Sequence, residues 1–234
     1  EIRQDPEKFR NAWSTSTTAR SPVSWRSKYV GLDKIEHDGV IYYFVDNEEY
    51  FRREGFYGYG DDAERFSFFC RAVLNLLPAM DFWPDVIHTN DWHSGLVNVL
   101  LKLEHQAMSA TRRSVTLYTI HKSSSNQASS RRNVMSDVLG LDWKYFNNGD
   151  LEFYDAVNFM KGGLIYADYI STVSKTYAKE IQYEYFGEHL TACCAAVRTR
   201  CSASSTASTT TSTIRARTRT STRLRCHDAR PQGG

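Results

Sequence analysis

The chain has 234 residues, 29 of them basic and 27 acidic, and a formal net charge of +2. Residues 191–234 contain eight arginines and a single acid, which leaves 21 basic and 26 acidic residues in residues 1–190. A net charge of −5 over residues 1–190 is not the electrostatic footprint of a nucleic-acid-binding domain. We therefore expect no nucleic acid among the partners. The length suffices for one large domain, or for one domain and a tail.

Cysteine usage and hydropathy favour an intracellular protein. Four of the five cysteines follow residue 190 and only Cys70 precedes it, which is no disulfide framework and indicates a reducing compartment. No run of about 18 apolar residues exists, so we expect no membrane span. The first residues lack both the apolar core of a signal peptide and an initiator Met. We expect a cytoplasmic protein whose chain starts inside a longer gene.

Hydrophobic periodicity predicts alternating strands and helices. A hairpin is expected first, with arms at 29–35 and 40–45 around Asp38-Gly39. The later elements are predicted as helices at 61–77, 96–105, 158–167 and 175–185, and as strands at 85–88, 115–120 and 169–174. Ser94 is expected to cap the second of these helices. The alternation predicts an α/β fold with a mainly parallel, doubly wound sheet and flanking helices.

Polar residues follow two of the predicted strands. Asn90, Asp91, Trp92 and His93 come after the strand at 85–88, which is apolar enough to be buried, and His121 ends the strand at 115–120. In open parallel sheets, ligands bind beyond the carboxyl ends of the strands. We therefore predict that Asp91 and His121 lie at adjacent strand ends and face one cleft.

The histidines of this region do not have the spacing of a metal site. His88, Asp91, His93 and His121 carry suitable ligand atoms, but no H-x-H-x-D-H or H-E-x-x-H pattern is present. We expect no metal and no cofactor.

Lys161 precedes Gly162-Gly163 inside the predicted helix at 158–167. Two internal glycines cost about 1 kcal/mol each relative to alanine, so close packing or a nearby ligand must compensate. Lys161 could belong to an anion site, but a solvated lysine on a helix surface is the better interpretation.

Four segments of the chain resemble one enzyme family. They are His-Thr-Asn-Asp-Trp-His-Ser-Gly-Leu at 88–96, Tyr-Thr-Ile-His at 118–121, Val-Asn-Phe-Met-Lys-Gly-Gly at 157–163 and Ser-Thr-Val-Ser-Lys-Thr-Tyr-Ala-Lys-Glu-Ile at 171–181. In order and spacing they resemble bacterial glycogen synthases and plant starch synthases. These are retaining GT-B glycosyltransferases that transfer glucose from ADP-glucose to an α-1,4-glucan. The resemblance implies a Rossmann-like N-terminal GT-B domain over residues 1–190, in the cytoplasm or, in a plant, the plastid.

The resemblance also implies roles for the strand-end residues. Asp91 and His121 match catalytic positions, with His121 near the donor glucose and Asp91 near the reacting sugars. Asn90, Trp92 and His93 would bind substrate along the same wall. Tyr57 matches a tyrosine that contacts the acceptor glucan, although an ordinary surface tyrosine in a loop is the alternative. The implied partners are ADP-glucose and glycogen or starch.

The chain also departs from the family. The Lys-x-Gly-Gly-Leu loop that binds the donor diphosphate is missing, as is the C-terminal Rossmann domain, and Lys122 replaces an Asn. Three interpretations stay open: an enzyme fragment inactive alone, a glucan-binding half-domain without transfer activity, and an inactive product of a damaged gene.

Three windows have an unusual Ser, Thr, Ala and Arg content: 12–20, 122–132 and 191–234. Such composition is typical of linkers and disorder. However, one shifted reading frame gives family-like sequence in all three. In that frame, residues 202–215 resemble the family's linker into its C-terminal domain, and residues 123–133 resemble the loop that follows the family's Ile-His-Asn. Residues 12–18 would form a plausible strand. We interpret the windows as out-of-frame translation, and 191–234 as a disordered tail.

Residues 191–234 should lack a packed core. They contain no aromatic residue and only Val197, Ile214 and Leu224 as large aliphatics. Burying these cannot offset ordering about forty residues at roughly 1–2 kcal/mol each. Hydrogen exchange should be fast throughout the segment, and slow exchange across it would contradict the prediction.

Overall fold

A computed structural model describes residues 18–105, 114–121, 128–181 and 183, together with the backbone of residues 14–17 and of Cys201–Ala203. Several expectations lie outside the described residues. They concern Lys122, residues 12–13 and 122–127 of the unusual windows, the end of the helix at 175–185 and the rest of the tail.

Ten strands and six α-helices make up the described fold. The strands are β1 (Ser14–Val23), β2 (Arg26–His37), β3 (Val40–Asp46), β4 (Val86–Asn90), β5 (Val115–Ile120), β6 (Ser129–Ser130), β7 (Glu152–Phe153), β8 (Ala156–Asn158), β9 (Tyr169–Thr172) and β10 (Cys201–Ala203). The helices are α1 (Glu48–Phe51), α2 (Asp62–Leu76), α3 (Asp91–Leu100), α4 (Lys144–Asn147), α5 (Phe159–Tyr166) and α6 (Lys175–Glu180). Two π-helical segments, Leu101–His105 and Met135–Leu139, complete it.

The predicted hairpin is confirmed as part of an antiparallel sheet. Strands β2 and β3 pair from Gly31–Asp46 to His37–Val40, and both turn residues, Asp38 and Gly39, have positive φ angles. Strand β1 pairs along the other edge of β2. Residues 14–20, part of an unusual window, therefore belong to a strand of this sheet.

A four-stranded parallel sheet in the order β10-β9-β5-β4 confirms the predicted α/β class. All three pairs of neighbouring strands are parallel, as the Asn90–Thr119 and Tyr118–Ile170 pairs illustrate. Strand β4 is an edge strand among the described residues and leaves Val86 57% exposed. The expectation of a buried strand at 85–88 was wrong, since Asp85, Val86 and His88 are exposed and Ile87 is only partly buried. An edge strand has a neighbouring strand on one side only, so its side chains are covered less than those of a central strand. Cys201–Ala203, assigned from sequence to the tail, pair with β9.

Helix α3 begins earlier than its sequence suggests. Its N-cap is Asn90, not Ser94, and Asp91 is its first residue. The Ser94 hydroxyl accepts a hydrogen bond from the Asn90 N–H at 2.6 Å and donates one to the Asn90 carbonyl at 2.7 Å. A serine suited to capping thus supports the first turn from within the helix, a turn that includes Trp92 and His93. By contrast, Ser174 is the N-cap of α6, and its side chain accepts a hydrogen bond from the Tyr177 N–H.

Close packing explains the two glycines of α5. A Cβ at Gly163 would lie 2.9 Å from both the Gly95 Cα and the Tyr118 Cζ, and one at Gly162 would lie 2.5 Å from the Leu151 Cδ2. Gly95 of α3 is equally tight, with the Phe159 carbonyl oxygen 2.3 Å from its hypothetical Cβ. Helices α3 and α5 therefore touch backbone to backbone over the parallel sheet.

Lys161 is buried, with 4% of its surface exposed, so the interpretation of a solvated lysine was wrong. Its Nζ donates to the Glu152 carbonyl oxygen of β7 at 2.6 Å, and its N–H donates to the capping side chain of Asn158 at 2.7 Å. A buried ammonium needs such an acceptor. The residue anchors α5 to β7.

The core extends from the parallel sheet through α3 and α5 to α2, which packs beneath β1. Within the residues that the structure describes, no helix is long and apolar enough to cross a membrane.

We predict that Gly95→Ala destabilises the fold. Alanine gains about 1 kcal/mol in helix propensity, but overpacking against a carbonyl oxygen that cannot rotate away costs roughly 1–3 kcal/mol or more. The net free energy of unfolding should fall, as measured by urea denaturation. Gly60→Ala is the control, since no atom lies within 4 Å of its added Cβ. Equal stability of the two variants would contradict the backbone-contact explanation.

Candidate active site at the ends of β4 and β5

Asp91 and His121 meet at the ends of two neighbouring strands. Asp91 follows β4, His121 follows β5, and the two strands pair in parallel through Asn90 and Thr119. The Asp91 Oδ1 accepts a hydrogen bond from the His121 backbone N–H at 2.8 Å. The sequence placed these residues at adjacent strand ends, and the structure brings them into direct contact.

The backbone at Asp91 is strained. Its φ of 54° lies in the left-handed region, which a non-glycine residue enters at a cost but which aspartate and asparagine tolerate better than others. Such strain persists only where surrounding contacts impose it, and it clusters at functional sites. Here the sharp turn between β4 and α3 directs the carboxylate toward β5.

Asn90 contacts the His121 ring. Its Oδ1 lies 3.0 Å from the His121 Nε2, and both side chains are exposed. When Nε2 carries the proton, the ring donates to this amide oxygen. Asn90 and Asp91 thus hold His121 from two sides, one through the ring and the other through the backbone.

Trp92 and His93 form an aromatic wall beside this pair. Their rings stack at a centroid distance of 4.1 Å, and Phe66 of α2 packs edge-on against both, at 5.0 Å and 4.7 Å. Burial lowers the pKa of His93, against the opposing effect of the Asp91 carboxylate. The imidazole is therefore neutral at pH 7 and presents an uncharged face.

Tyr57 extends the wall. Its ring centroid lies 5.2 Å from that of His93 and 6.4 Å from that of Trp92, and half of its surface is exposed. Tyr57 is separated from these residues by more than thirty positions in sequence. The loop before α2 therefore brings the predicted acceptor-contacting tyrosine to the wall formed by the first turn of α3.

A cavity of about 800 Å³ opens beside the wall. Tyr57 and Trp92 line it, together with residues 58–64 on one side and several residues between 129 and 138 on the other. Asp61, Asp62, Glu64 and Arg131 give it a mixed, mainly acidic lining. Asp91 and His121 do not line it, so Trp92 connects the cavity to the strand-end pair.

Sequence reasoning missed the charged residues that hold the Tyr57 loop. Arg65 is 2% exposed, and its Nη1 donates to the Asp62 Oδ1 at 2.5 Å. Arg53 donates to both oxygens of Asp61, at 2.8 Å and 2.6 Å. The available signal was Asp62 three positions before Arg65 at a helix start, where such pairs face one another.

Cys70 is not a nucleophile in this setting. Burial raises the pKa of its thiol to about 12, and its Sγ donates to the His93 carbonyl oxygen at 3.3 Å. A protonated, enclosed thiol is unreactive. Cys70 instead supports the backbone of the aromatic wall.

The four residues considered as metal ligands do not converge. The His88 Nε2 lies 2.6 Å from the Thr119 Oγ1, which lies 2.6 Å from the Ser171 Oγ. Among the described residues, no three His, Cys, Asp or Glu side chains are grouped to hold a metal ion.

Comparison with known proteins gives consistent matches. The family model described as the starch synthase catalytic domain matches residues 1–196. A glycogen synthase from Clostridioides difficile is 50% identical over 172 residues, which are 72% of this chain and 36% of that protein. One from Bacillus cytotoxicus is 46% identical over 185 residues, 79% of this chain and 38% of that protein.

A solved structure agrees with these matches. The catalytic domain of starch synthase IV from Arabidopsis thaliana, bound to ADP and acarbose, superposes with a TM-score of 0.73 at 25% sequence identity. The match covers 82% of this chain and 40% of that one. The chain thus spans little more than a third of the curated relatives it matches. The resemblance in its sequence motifs is confirmed, and the chain belongs to the starch synthase catalytic domain family.

Proposed function

We propose that this chain forms the N-terminal half of the active-site cleft of a glycosyltransferase. The whole enzyme transfers glucose from ADP-glucose to the non-reducing end of an α-1,4-glucan, glycogen or starch, with retention. The observation that carries the proposal is the contact between the Asp91 carboxylate and the His121 backbone N–H, 2.8 Å long, beside an aromatic wall in a chain of this family.

The strand-end pair suits the reacting sugars. Positive charge develops on the transferred glucose as the diphosphate leaves, and a preorganised carboxylate stabilises such charge. Asp91 is fixed for this role by its bond to His121 and by the turn that begins α3. The His121 ring, oriented by Asn90, offers polar contacts to the donor glucose. Holding both sugars in reactive geometry supplies much of the catalysis in such a site.

The aromatic wall suits the acceptor. Tyr57 is half exposed and His93 is partly exposed, so both present ring surface, whereas Trp92 is only 4% exposed and stacks against the His93 ring at a centroid distance of 4.1 Å. Flat apolar ring faces with polar groups at their edges complement the faces and hydroxyls of a sugar chain. Asp61 and Glu64 of the adjoining cavity supply hydrogen-bond acceptors for those hydroxyls.

Substrates and compartment follow from the same proposal. The starch synthase IV structure holds ADP and acarbose, which supports an adenine-nucleotide sugar as donor and an oligosaccharide as acceptor. No metal or other cofactor is part of the proposal. The location we propose is the cytoplasm, or the plastid of a plant cell, because the one cysteine in residues 1–190, Cys70, is a free thiol.

A second candidate is a glucan-binding half-domain without transfer activity. The aromatic wall and the lining of its cavity consist of described residues of this chain, which spans only 36% of a full-length relative. Binding without transfer by the chain alone fits both candidates. Only an enzyme extended to the relatives' length can distinguish them.

The 234-residue chain alone should show no measurable glucose transfer from ADP-glucose to glycogen. Losing a single preorganised donor to a developing charge costs about 10²–10³ in rate, and the groups expected to grip the diphosphate lie in parts of the family that this chain does not match. Incorporation of radiolabelled glucose into glycogen measures the activity. An enzyme extended to the relatives' length is the positive control, and robust turnover by the chain alone would contradict the proposal.

In the extended enzyme, Asp91→Asn should reduce kcat by about 10² or more without lowering stability. Asparagine retains an acceptor for the His121 N–H and tolerates the left-handed backbone, so only the charge is lost. Asp91→Ala, which also removes the acceptor, and His121→Ala should reduce kcat at least as far.

Asp38→Asn is the matched control, since Asp38 also has a positive φ, 51°, but lies in the exposed hairpin turn. Its kcat should be unchanged. Full activity of the Asp91→Asn enzyme would show that the Asp91 charge has no part in the reaction.

A further inference from the structure

The loop that carries Tyr57 is fixed by charged residues outside the aromatic wall. This Tyr57 arm, residues 52–61, connects α1 to α2 and places an exposed tyrosine at its tip. Gly58, next to Tyr57, has a φ of 100°, a conformation open mainly to glycine. An irregular loop needs partners for its backbone groups, and those partners decide where Tyr57 lies.

Asp62 binds the backbone on one side of Tyr57. Its Oδ2 accepts hydrogen bonds from the Gly58 N–H at 2.5 Å and from the Tyr59 N–H at 3.1 Å. Its other oxygen accepts from Arg65. Bonds to a charged acceptor are stronger than those between neutral groups. One carboxylate therefore holds the turn that follows the tyrosine.

Arg65 binds the backbone on the other side of Tyr57. Its Nη2 donates to the Phe56 carbonyl oxygen at 3.3 Å, and its Nε donates to the Tyr50 carbonyl oxygen at 2.7 Å. The side chain is 2% exposed, so its charge depends on these partners and on Asp62. The residues before and after Tyr57 are thus both attached to a single ion pair in the first turn of α2.

The rest of the arm is organised around the same pair. Two guanidinium groups lie close to the Tyr59 ring centroid, that of Arg65 at 5.1 Å and that of Arg53 at 5.0 Å. The Tyr59 hydroxyl accepts from the Gly55 N–H at 2.8 Å. Cation–π contacts of this kind strengthen when water is excluded. The arm is a preformed structure even though its tip is exposed.

We infer that Asp62, paired with Arg65, is a positioning residue that sets Tyr57 against His93 and Trp92 to receive the glucan acceptor. This inference rests on the proposed function and extends it to a pair of residues that need not touch the sugar. An arm held before binding spares the acceptor the entropic cost of ordering it. Without the Asp62 carboxylate, Arg65 loses its ionic partner, the Gly58 and Tyr59 amides lose their acceptor, and Tyr57 leaves the wall.

The test compares Asp62→Ala, Tyr57→Ala and the double variant in the 234-residue chain. Glu104→Ala is the matched control. It also removes the acidic partner of a buried arginine, Arg71, but Glu104 does not line the cavity. If the Asp62 and Glu104 variants lose equal stability, a difference between them in the measurements below reports displacement of the arm and not general destabilisation.

The first measurement needs no ligand. Tyr57 lies 5.2 Å from the His93 ring, so its ring current shifts the His93 ring protons in the NMR spectrum. In Asp62→Ala these protons should move to the positions seen in Tyr57→Ala, whereas in Glu104→Ala they should keep those of the unaltered chain. Unchanged His93 shifts in Asp62→Ala would overturn the inference.

The second measurement is the Kd of maltoheptaose by calorimetric titration. Asp62→Ala and Tyr57→Ala should each weaken binding about tenfold, and the double variant no further than either, because both remove the same contact. Glu104→Ala should bind as the unaltered chain does. If the fold increases in Kd of the two single variants multiply in the double variant, the inference is overturned.

If the unaltered chain binds no maltoheptaose, the proposed function fails and the inference with it. If it binds and Asp62→Ala binds equally well, the inference alone fails.

Discussion

The backbone contact between α3 and α5 is the constraint on which the candidate site depends. A Cβ on Gly95 would lie 2.3 Å from the Phe159 carbonyl oxygen, and one on Gly163 would lie 2.9 Å from the Gly95 Cα. Helix α3 begins with Asp91, Trp92 and His93, so its distance from α5 and the sheet sets where these side chains stand. Dense interiors transmit such displacements because they contain few voids to absorb them. The glycines of α5 are thus explained by packing, with no ligand needed.

Two polar networks fix the strands beneath the site. On one face of the sheet, the Thr89 hydroxyl donates to the Asn98 Oδ1 at 3.1 Å, and the Asn98 Nδ2 donates to the Gly163 carbonyl oxygen at 3.1 Å. This network joins β4, α3 and α5 in the core. Successive strand residues face opposite sides, so His88 and Thr119 form the second network on the other face. Thr89 and Asn98 of the first network are buried, and a buried network whose members are all paired favours one arrangement over alternatives.

The order of elements and the strand-end residues could be predicted from sequence. The period of apolar residues is a local property, and it gave β5, α2 and the hairpin nearly to their ends. In a parallel sheet the carboxyl ends of neighbouring strands meet at one edge. Knowing that two strands end in Asp91 and His121 was therefore enough to place these residues near each other. The four resembling motifs identified the family, which hydrophobic periodicity alone does not identify.

Local signals were insufficient where a residue's role depends on distant partners. Ser94 has the chemistry of an N-cap, but the turn around Asp91 moves the helix start to Asn90. Lys161 carries the charge typical of a surface residue, but its ammonium donates a hydrogen bond to the Glu152 carbonyl oxygen of β7.

The sequence by itself determined which elements form, their order, and the chemical groups at the strand ends, since these follow from spacing along the chain. The tertiary structure alone decided that Tyr57 meets His93 and that Arg65 is buried. The physical reason is that both depend on contacts between segments distant in sequence or on the path of an irregular loop. Neither leaves a periodic trace in the chain.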